Sequence, residues 1–447
     1  MSNTQGVISS ISLSARVRPA AHVLGIRGGG WNAIVNERGS VRLNDGSPVL
    51  DWHIAADDRW HDPSTEPSVR QTRRAGVPVI ETRLRIPGGD AIQRVYAVAD
   101  AGGLVVIEIT NESTLPIAVA FTRPDVISSR TPSPRGAQGI ELPAGSVVFP
   151  VAHGSTLRVA LRAAMHVANT VANAVANAVA NTAANVDVER LPSFEQLQKG
   201  WLKAVEQAGY VIVPEGAVAP LVARLRSDAL ILSGHEIEDW AIGAGGDCAN
   251  DPVAYILTLQ ELLRMGEKLN SDSAHIRVDH AARLAQSVET LLKDNKKASI
   301  LPWDVERALF AAQFVFARMG ENRAADDVAT AQLRLSSCAE PPNVMPTDIR
   351  AIAWVEEKMV AMQRDGSVQI FGRGIPRLWL GANLECHRVA AGPLHTVSFG
   401  IRWHGEKPAL LWEVTGPAGI KLTAGKCDPT WTSVEATGET LLLGFAI

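Results

Sequence analysis

The central part of the chain, from Ser193 to Gln363, carries a long series of amphipathic helical patterns, and this feature constrains the fold most. Ser193 and Gln196 have the spacing of a capping box, which predicts the start of the first helix. Asp251 followed by Pro252 supplies an N-cap and a first-turn proline for the third helix. Seven helices are predicted in all, over 193–209, 217–233, 251–266, 273–294, 302–319, 322–336 and 347–362.

Short turns that contain glycine or proline join several of these helices, so we expect consecutive helices to lie antiparallel. Paired helices of this kind form a bundle, a solenoid or part of an α/α toroid. The sequence shows no internal repeat at the period of a solenoid, which disfavours the solenoid.

Strand patterns lie on both sides of the helices. The runs Thr82–Ile86 and Ile92–Val98 enclose the turn 87–90 and predict a β-hairpin. Regular short strands between Ile8 and Leu161, separated by Gly, Pro and Asn, indicate an N-terminal antiparallel β-sandwich. Strand patterns return from Ile375 to Ile447 and predict a small C-terminal antiparallel β-domain.

Between the first strands and the helices, the tripeptide Val-Ala-Asn recurs every four residues over Val167–Asn185. Asn and Val both lower helix propensity, which favours a spacer of variable length. The alternative is a helical rod or an arm that binds a partner. The predicted segments are a β-sandwich over 1–165, the Val-Ala-Asn linker over 166–192, a helical-hairpin domain over 193–365 and a β-domain over 366–447.

Composition and motifs exclude several classes of function. The formal net charge of −4 gives no electrostatic signature of nucleic-acid binding. The four cysteines stand far apart without a CxxC pair, so neither a zinc site nor a disulfide framework is expected. The sequence shows no secretory signal and no apolar run of membrane-spanning length, so we expect a cytoplasmic protein that does not contact membranes. Gly28–Gly30 is followed by a strand pattern, not a helix, and no nucleotide-binding motif appears, so no cofactor and no metal are expected.

Two segments carry a family resemblance. The strand-rich segment Glu81–Phe121 and the helical segment Ala308–Val328, together with the order of β-structure, helical array and β-structure, resemble the six-hairpin glycosidase-like superfamily. That superfamily includes glucoamylase-like and related α/α-toroid glycoside hydrolases. The resemblance implies a multidomain α and β protein whose helical-hairpin array is a partial α/α toroid, with a carbohydrate ligand. The predicted helices are too few for six hairpins, which implies a shortened toroid, and no acidic motif matches the family's catalytic loops.

One long connection between helices, Gly234–Asp251, is acidic and rich in glycine. Glycoside hydrolysis needs two carboxylates across the scissile bond. We expect Glu238 or Asp239 to act as the acid and Asp247 as its partner, while Trp240 could stack on a sugar ring. The alternative is a solvated acidic loop in which Asp251 only caps the next helix.

A second candidate lies at Trp303 and Asp304, which open the fifth predicted helix. The junctions of loops and helices face the central funnel of a toroid, so these residues could bind substrate. Asp304 could equally complement the helix dipole and do nothing else.

A third candidate, Asp51–Asp62, combines His53 and His61 with four aspartates and two tryptophans. Imidazole with carboxylate could bind a divalent metal, or the segment could form a sugar-binding rim. A surface turn is the simpler interpretation. From the sequence, the protein is therefore a glycoside hydrolase-like enzyme or a catalytically inactive scaffold that binds carbohydrate or a protein partner, and a helical scaffold unrelated to sugars stays open.

Overall fold

The computed structural model describes residues 21–163, 186–240, 248–269, 279–335, 337–372, 374–376 and 379–444, together with the backbone of two short strands at 7–8 and 12–13. The chain forms two compact units. The β unit comprises Arg18–Lys203 and Leu230–His235, and the mixed unit comprises Met1–Val17, Ala204–Ala229 and Glu236–Ile447. The division into four segments remains a prediction, and the Val-Ala-Asn tract lies outside the described residues.

The first described strands are β1 (Val7–Ile8) and β2 (Ser12–Leu13). Twelve strands then build the described sheets of the β unit: β3 (Ala21–Gly25), β4 (Asn32–Asn36), β5 (Val41–Leu43), β6 (Trp52–Ala55), β7 (Trp60–His61), β8 (Arg70–Arg73), β9 (Val79–Ile86), β10 (Gly89–Val98), β11 (Leu104–Asn111), β12 (Ile117–Phe121), β13 (Val147–Val151) and β14 (Thr156–Arg162). They form antiparallel sheets with the strand orders β3-β4-β5, β13-β12-β6-β7 and β14-β11-β10-β9-β8. Residues from all three sheets share one buried hydrophobic core.

The hairpin predicted around residue 88 is confirmed. Strands β9 and β10 pair antiparallel from Ile86 opposite Gly89, and Gly88 adopts a left-handed φ of 77° in the tight turn. The sequence also predicts that the two strands on either side of residues 111–113 pair with each other, and this prediction is wrong, because β11 pairs with β10 and β14 while β12 pairs with β6 and β13. The chain crosses between sheets after Asn111, whose side-chain amide donates to Leu115 O and whose Oδ1 accepts from Ser113.

Seven helices lie in the described residues, as the sequence predicts. They are α1 (Phe194–Glu206), α2 (Val218–Leu232), α3 (Pro252–Arg264), α4 (His280–Asn295), α5 (Trp303–Met319), α6 (Asn322–Leu333) and α7 (Arg350–Met359). The start of α4 differs from the predicted Ser273, because the Asp279 side chain accepts the N–H of Ala282 and caps the helix there. Residues 270–278 lie outside the described residues.

The expected antiparallel packing holds for one pair of helices and fails for another. Gly320, with a φ of 86°, ends α5, and Gln313 on α5 donates to Gln332 on α6, as in an antiparallel hairpin. In contrast, α3 and α4 begin side by side, because Tyr255 in the first turn of α3 bonds to His280 at the start of α4. Closure of the helices into a toroid remains a prediction.

Further strands complete the mixed unit: β15 (Tyr210–Ile212), β16 (Val344–Met345), β17 (Val360–Met362), β18 (Val368–Ile370), β19 (Ile375–Pro376), β20 (Leu384–Ala390), β21 (Thr396–His404), β22 (Lys407–Thr415), β23 (Leu422–Ala424), β24 (Asp428–Ser433) and β25 (Thr437–Leu441). Two sheets have the orders β15-β20-β21-β22-β25 and β17-β18-β23-β24. The first strands of the chain belong here too, since β1 pairs in parallel with β19 and β2 with β16. The protein is therefore a multidomain α+β protein with many antiparallel sheets.

A buried ionic network joins α2, α3 and α7. Arg226 Nε lies 2.6 Å from Glu261, and Glu356 accepts from both Arg226 and Arg264, at 3.1 and 2.9 Å. Burial alone would raise the pKa of Glu261, but the charges of Arg264 and Arg226 lower it overall. Because two cations face two carboxylates, the network places no uncompensated charge in the core.

Candidate functional site

Three helices begin around the side chain of Arg350. The N-cap of α3 is Asp251, Asp304 lies in the first turn of α5, and Arg350 itself opens α7. The guanidinium binds three aspartates: Nη2 lies 2.6 Å from Asp251 Oδ2, Nε 2.9 Å from Asp304 Oδ2 and Nη1 2.8 Å from Asp348 Oδ2. We call Arg350 with Asp251, Asp304 and Asp348 the arginine clamp.

Every carboxylate oxygen of the arginine clamp has a hydrogen-bond donor. The Oδ1 atoms of Asp251 and Asp304 accept main-chain N–H groups of their own helices at 3.0 and 3.1 Å, and Oδ1 of Asp348 accepts the Arg350 N–H at 2.9 Å. Burial alone would lower the pKa of Arg350, but its hydrogen bond to Asp251 and the charges of the aspartates raise the pKa overall. The clamp is thus an ionised anchor for helix ends, which are themselves favourable places for negative charge.

A cleft of about 410 Å³ lies between the short turn Ile237–Asp239 and the start of α4. Its lining comprises Glu236, Ile237, Glu238, Asp279, Ala282, Arg283 and Gln286. We call it the acidic cleft, because three of these side chains are carboxylates and one is a guanidinium. Its volume falls in the range of about 300–1,000 Å³ that is usual for small-molecule sites.

Arg283 organises one wall of the acidic cleft. Its Nη1 lies 3.3 Å from Glu238 Oε1, and its Nη2 donates to Ala249 O at 3.1 Å. The guanidinium carbon lies 5.4 Å from the centre of the Tyr255 ring, a cation–π distance. Glu238 is therefore paired with a cation at the cleft while most of its side chain stays exposed.

An aromatic cluster of Trp240, Tyr255 and His280 backs this wall. The Trp240 ring centre lies 6.3 Å from that of Tyr255 and 6.0 Å from that of His280. The Tyr255 hydroxyl lies 3.0 Å from His280 Nδ1, and the imidazole tautomer decides which of the two groups donates the hydrogen bond. Burial, helped by the Arg283 charge, lowers the pKa of His280 to about 4, and burial raises the pKa of Tyr255. Both rings are therefore neutral at pH 7.

The sequence-predicted acids occupy different positions. Glu238 lines the acidic cleft, whereas Asp239, on the same turn, is exposed and does not contribute to the lining. Asp304 and Asp251 meet in the arginine clamp. Asp247 lies outside the described residues.

The two tryptophans predicted to bind substrate are buried. Trp240 is 2% exposed and Trp303 is 5% exposed, so neither offers a free ring face for a sugar. Trp240 instead packs in the aromatic cluster, and Nε1 of Trp303 is buried with no hydrogen-bond partner among the described residues.

Several residues of these two sites were not predicted from the sequence. Asp279 and Arg283 line the acidic cleft, and Arg350 forms the clamp. An N-cap signal exists at Asp279, directly before an amphipathic pattern, and could have placed Asp279 and Arg283 at the start of a helix. No local signal identifies Arg350, because its partners come from two distant helices as well as its own.

The segment Asp51–Asp62 contains strand β6, which lies between β12 and β7, and the edge strand β7. His61 bonds to Asp58 at 2.9 Å through Nε2 and to Glu66 at 3.0 Å through Nδ1. His53 Nδ1 lies 3.9 Å from Asp62 Oδ1. Nowhere in the described residues do three or more His, Cys, Asp or Glu side chains form a group that could hold a metal ion.

Among the described residues, no helix combines the length and apolar character that crossing a membrane requires.

No protein-family model and no curated protein sequence matches this chain. The chain is similar to a solved structure described as "Putative kojibiose phosphorylase from human microbiome", with a TM-score of 0.36 and 8% sequence identity, over 95% of this chain and 90% of that chain. A TM-score of this size does not establish a shared fold, and the six-hairpin toroid remains a prediction.

Proposed function

We propose that this chain is a carbohydrate-active protein whose ligand occupies the acidic cleft, and that it hydrolyses a glycosidic bond with a pair of carboxylates. The observation that carries the proposal is the convergence of Glu236, Glu238 and Asp279 on one cleft of ligand size. Hydrolysis of a glycosidic bond needs two carboxyl groups with different roles, and this cleft offers Glu236 and Glu238 on one turn, with Asp279 opposite them.

The roles follow from the partners of each group. Glu238 is paired with Arg283 and so suits the part of base or nucleophile, which must be ionised. Glu236 lines the same cleft and is the candidate proton donor. Asp279 caps α4 and is committed to that structural contact. Catalytic roles for Asp239 and Asp247 stay predictions from the sequence. Asp239 lies outside the lining of the cleft, and Asp247 lies outside the described residues.

A second candidate is a non-catalytic scaffold that binds carbohydrate or a protein partner. It is favoured by the arginine clamp, which gives each oxygen of Asp251 and Asp304 a hydrogen-bond donor and so commits these acids to holding the helix ends. The burial of Trp240 and Trp303 favours it as well, because neither ring is open to a sugar.

The test compares two neighbouring carboxylates. Wild-type protein is assayed for turnover with a panel of 4-nitrophenyl glycosides and for binding with neutral disaccharides by calorimetry. If Glu238 is the catalytic carboxylate, Glu238→Gln lowers turnover by about 10²-fold or more and Asp239→Asn, on the same turn, leaves it near wild type; the reverse result would assign the role to Asp239. Binding without turnover supports the non-catalytic scaffold. The carbohydrate proposal fails if the wild type neither binds nor cleaves any of these sugars.

A further inference from the structure

We infer that Arg350 is the positioning residue of the acidic cleft: it fixes the first turn of α3 and, through that turn, the wall that carries Arg283 and Glu238. This inference rests on the proposed function for its ligand, but its physical basis lies in the contacts of the described residues. Arg350 does not line the cleft itself, so its action is indirect.

The path from Arg350 to the cleft consists of four contacts. Arg350 holds Asp251 through its Nη2, at 2.6 Å. The main-chain oxygen of Asp251 accepts the N–H of Tyr255 at 3.0 Å, so the anchored N-cap sets the position of Tyr255. Arg283 lies over the Tyr255 ring and extends to Glu238 at 3.3 Å. A shift of the N-cap is therefore passed to the cleft carboxylate through two side chains.

The charges of the clamp explain why a guanidinium is needed there. Three aspartates around one cation leave an excess of negative charge, which the positive ends of α3, α5 and α7 help to stabilise. Without the cation, the three carboxylates would repel each other and the starts of the helices would separate. Lysine supplies one point charge, whereas the planar guanidinium binds the three carboxylates through three different nitrogen atoms.

The first experiment measures hydrogen exchange, which needs no ligand. Arg350→Ala is compared with wild type and with Arg364→Ala, a matched control that removes an arginine–carboxylate pair to Glu306 in the first turn of α5. We expect the amides of Tyr255 and Arg283 to exchange about tenfold faster in Arg350→Ala and to be unchanged in Arg364→Ala. An unchanged rate at Arg283 in Arg350→Ala overturns the inference.

The second experiment measures binding and turnover with the 4-nitrophenyl glycosides and neutral disaccharides named above. We expect Arg350→Ala to lower both the affinity and the turnover by about 10- to 100-fold, and Arg350→Lys to lower them less. Added ethylguanidinium is expected to restore the affinity and turnover of Arg350→Ala. Guanidinium salts weaken folded proteins in general, so a rescue would tie the loss to the missing guanidinium at this site and not to general destabilisation. Wild-type affinity in Arg350→Ala, or a loss that ethylguanidinium leaves untouched, overturns the inference.

A failure of the proposed function can be distinguished from a failure of the inference about Arg350. If the wild type binds none of these sugars, the proposed function fails, and the exchange rates at Tyr255 and Arg283 alone decide whether Arg350 positions the cleft. If Arg350→Ala does not fold, Arg350→Lys takes its place in the exchange comparison. Faster exchange at Arg283 in Arg350→Lys then supports the inference, and a wild-type rate contradicts it.

Discussion

Acidification is expected to weaken the folded state through His280. This imidazole is packed against Trp240 and Tyr255, and burial together with the Arg283 charge lowers its pKa from the ordinary 6.5 to about 4. The unfolded chain therefore takes up a proton near pH 6.5, whereas the folded chain does so only near pH 4. Above pH 6.5 the group contributes no pH dependence, and between pH 6.5 and 4 the free energy of unfolding falls as the pH falls. At about 1.4 kcal/mol for each pH unit, the full loss is about 3 kcal/mol.

The assay is urea denaturation of wild type and His280→Gln between pH 7 and pH 4. The glutamine amide oxygen can accept the Tyr255 hydroxyl but does not ionise, so the variant keeps the polar contact and loses the titration. Carboxylates titrate in both proteins and cancel in the comparison. Relative to its own value at pH 7, the wild type is expected to lose about 3 kcal/mol more than the variant. Equal losses in the two proteins would refute the reasoning, as would an imidazole pKa near 6.5 in an NMR titration of the folded protein.

Two further predictions concern stability at neutral pH. Glu356→Gln is expected to lower the free energy of unfolding by about 3–5 kcal/mol, because its two buried arginine partners then share one carboxylate; an unchanged urea midpoint would contradict this. Gly89→Ala is expected to lower the free energy of unfolding by about 1–3 kcal/mol, because the new Cβ would lie 2.3 Å from the main-chain oxygen of Glu112. Thermal unfolding of the variant and the wild type measures this loss. Gly200→Ala, in helix α1, is the matched control. Its Cβ would meet no atom within 4 Å, so we expect the free energy of unfolding to rise by up to about 1 kcal/mol.

Local signals account for the parts of the fold that the sequence predicts. The N-cap Asp251 with Pro252, and Gly320 at a helix end, are contained within a few residues, and the corresponding helix boundaries agree with the structure. The same is true of the hairpin around Gly88, whose turn and alternating strands lie next to each other. In these cases the backbone conformation is set by neighbours in the chain.

The features that the sequence did not predict depend on residues that are distant in the chain. The strand Leu104–Asn111 has the pattern of a hairpin partner for the strand that follows it, but the choice of sheet is decided by which neighbours cover each face. Trp240 lies in an acidic loop, and its burial depends on Tyr255 and His280 from two other helices. The gathering of Asp251 and Asp304 by Arg350 likewise exists only after three helices have packed.

The pairing of β1 with β19 has a consequence for how the protein is made. Val7 lies beside Ile375, so the mixed unit draws on segments from near both ends of the chain, with the β unit placed between them in sequence. A ribosome releases β1 and β2 before their partners, and these strands must wait until residues 344–345 and 375–376 have emerged. Contacts between such remote segments form slowly, since a long loop must close before they can form. We therefore expect the β unit to acquire its structure before the mixed unit can complete its sheets, with the exposed early strands a natural point of engagement for chaperones.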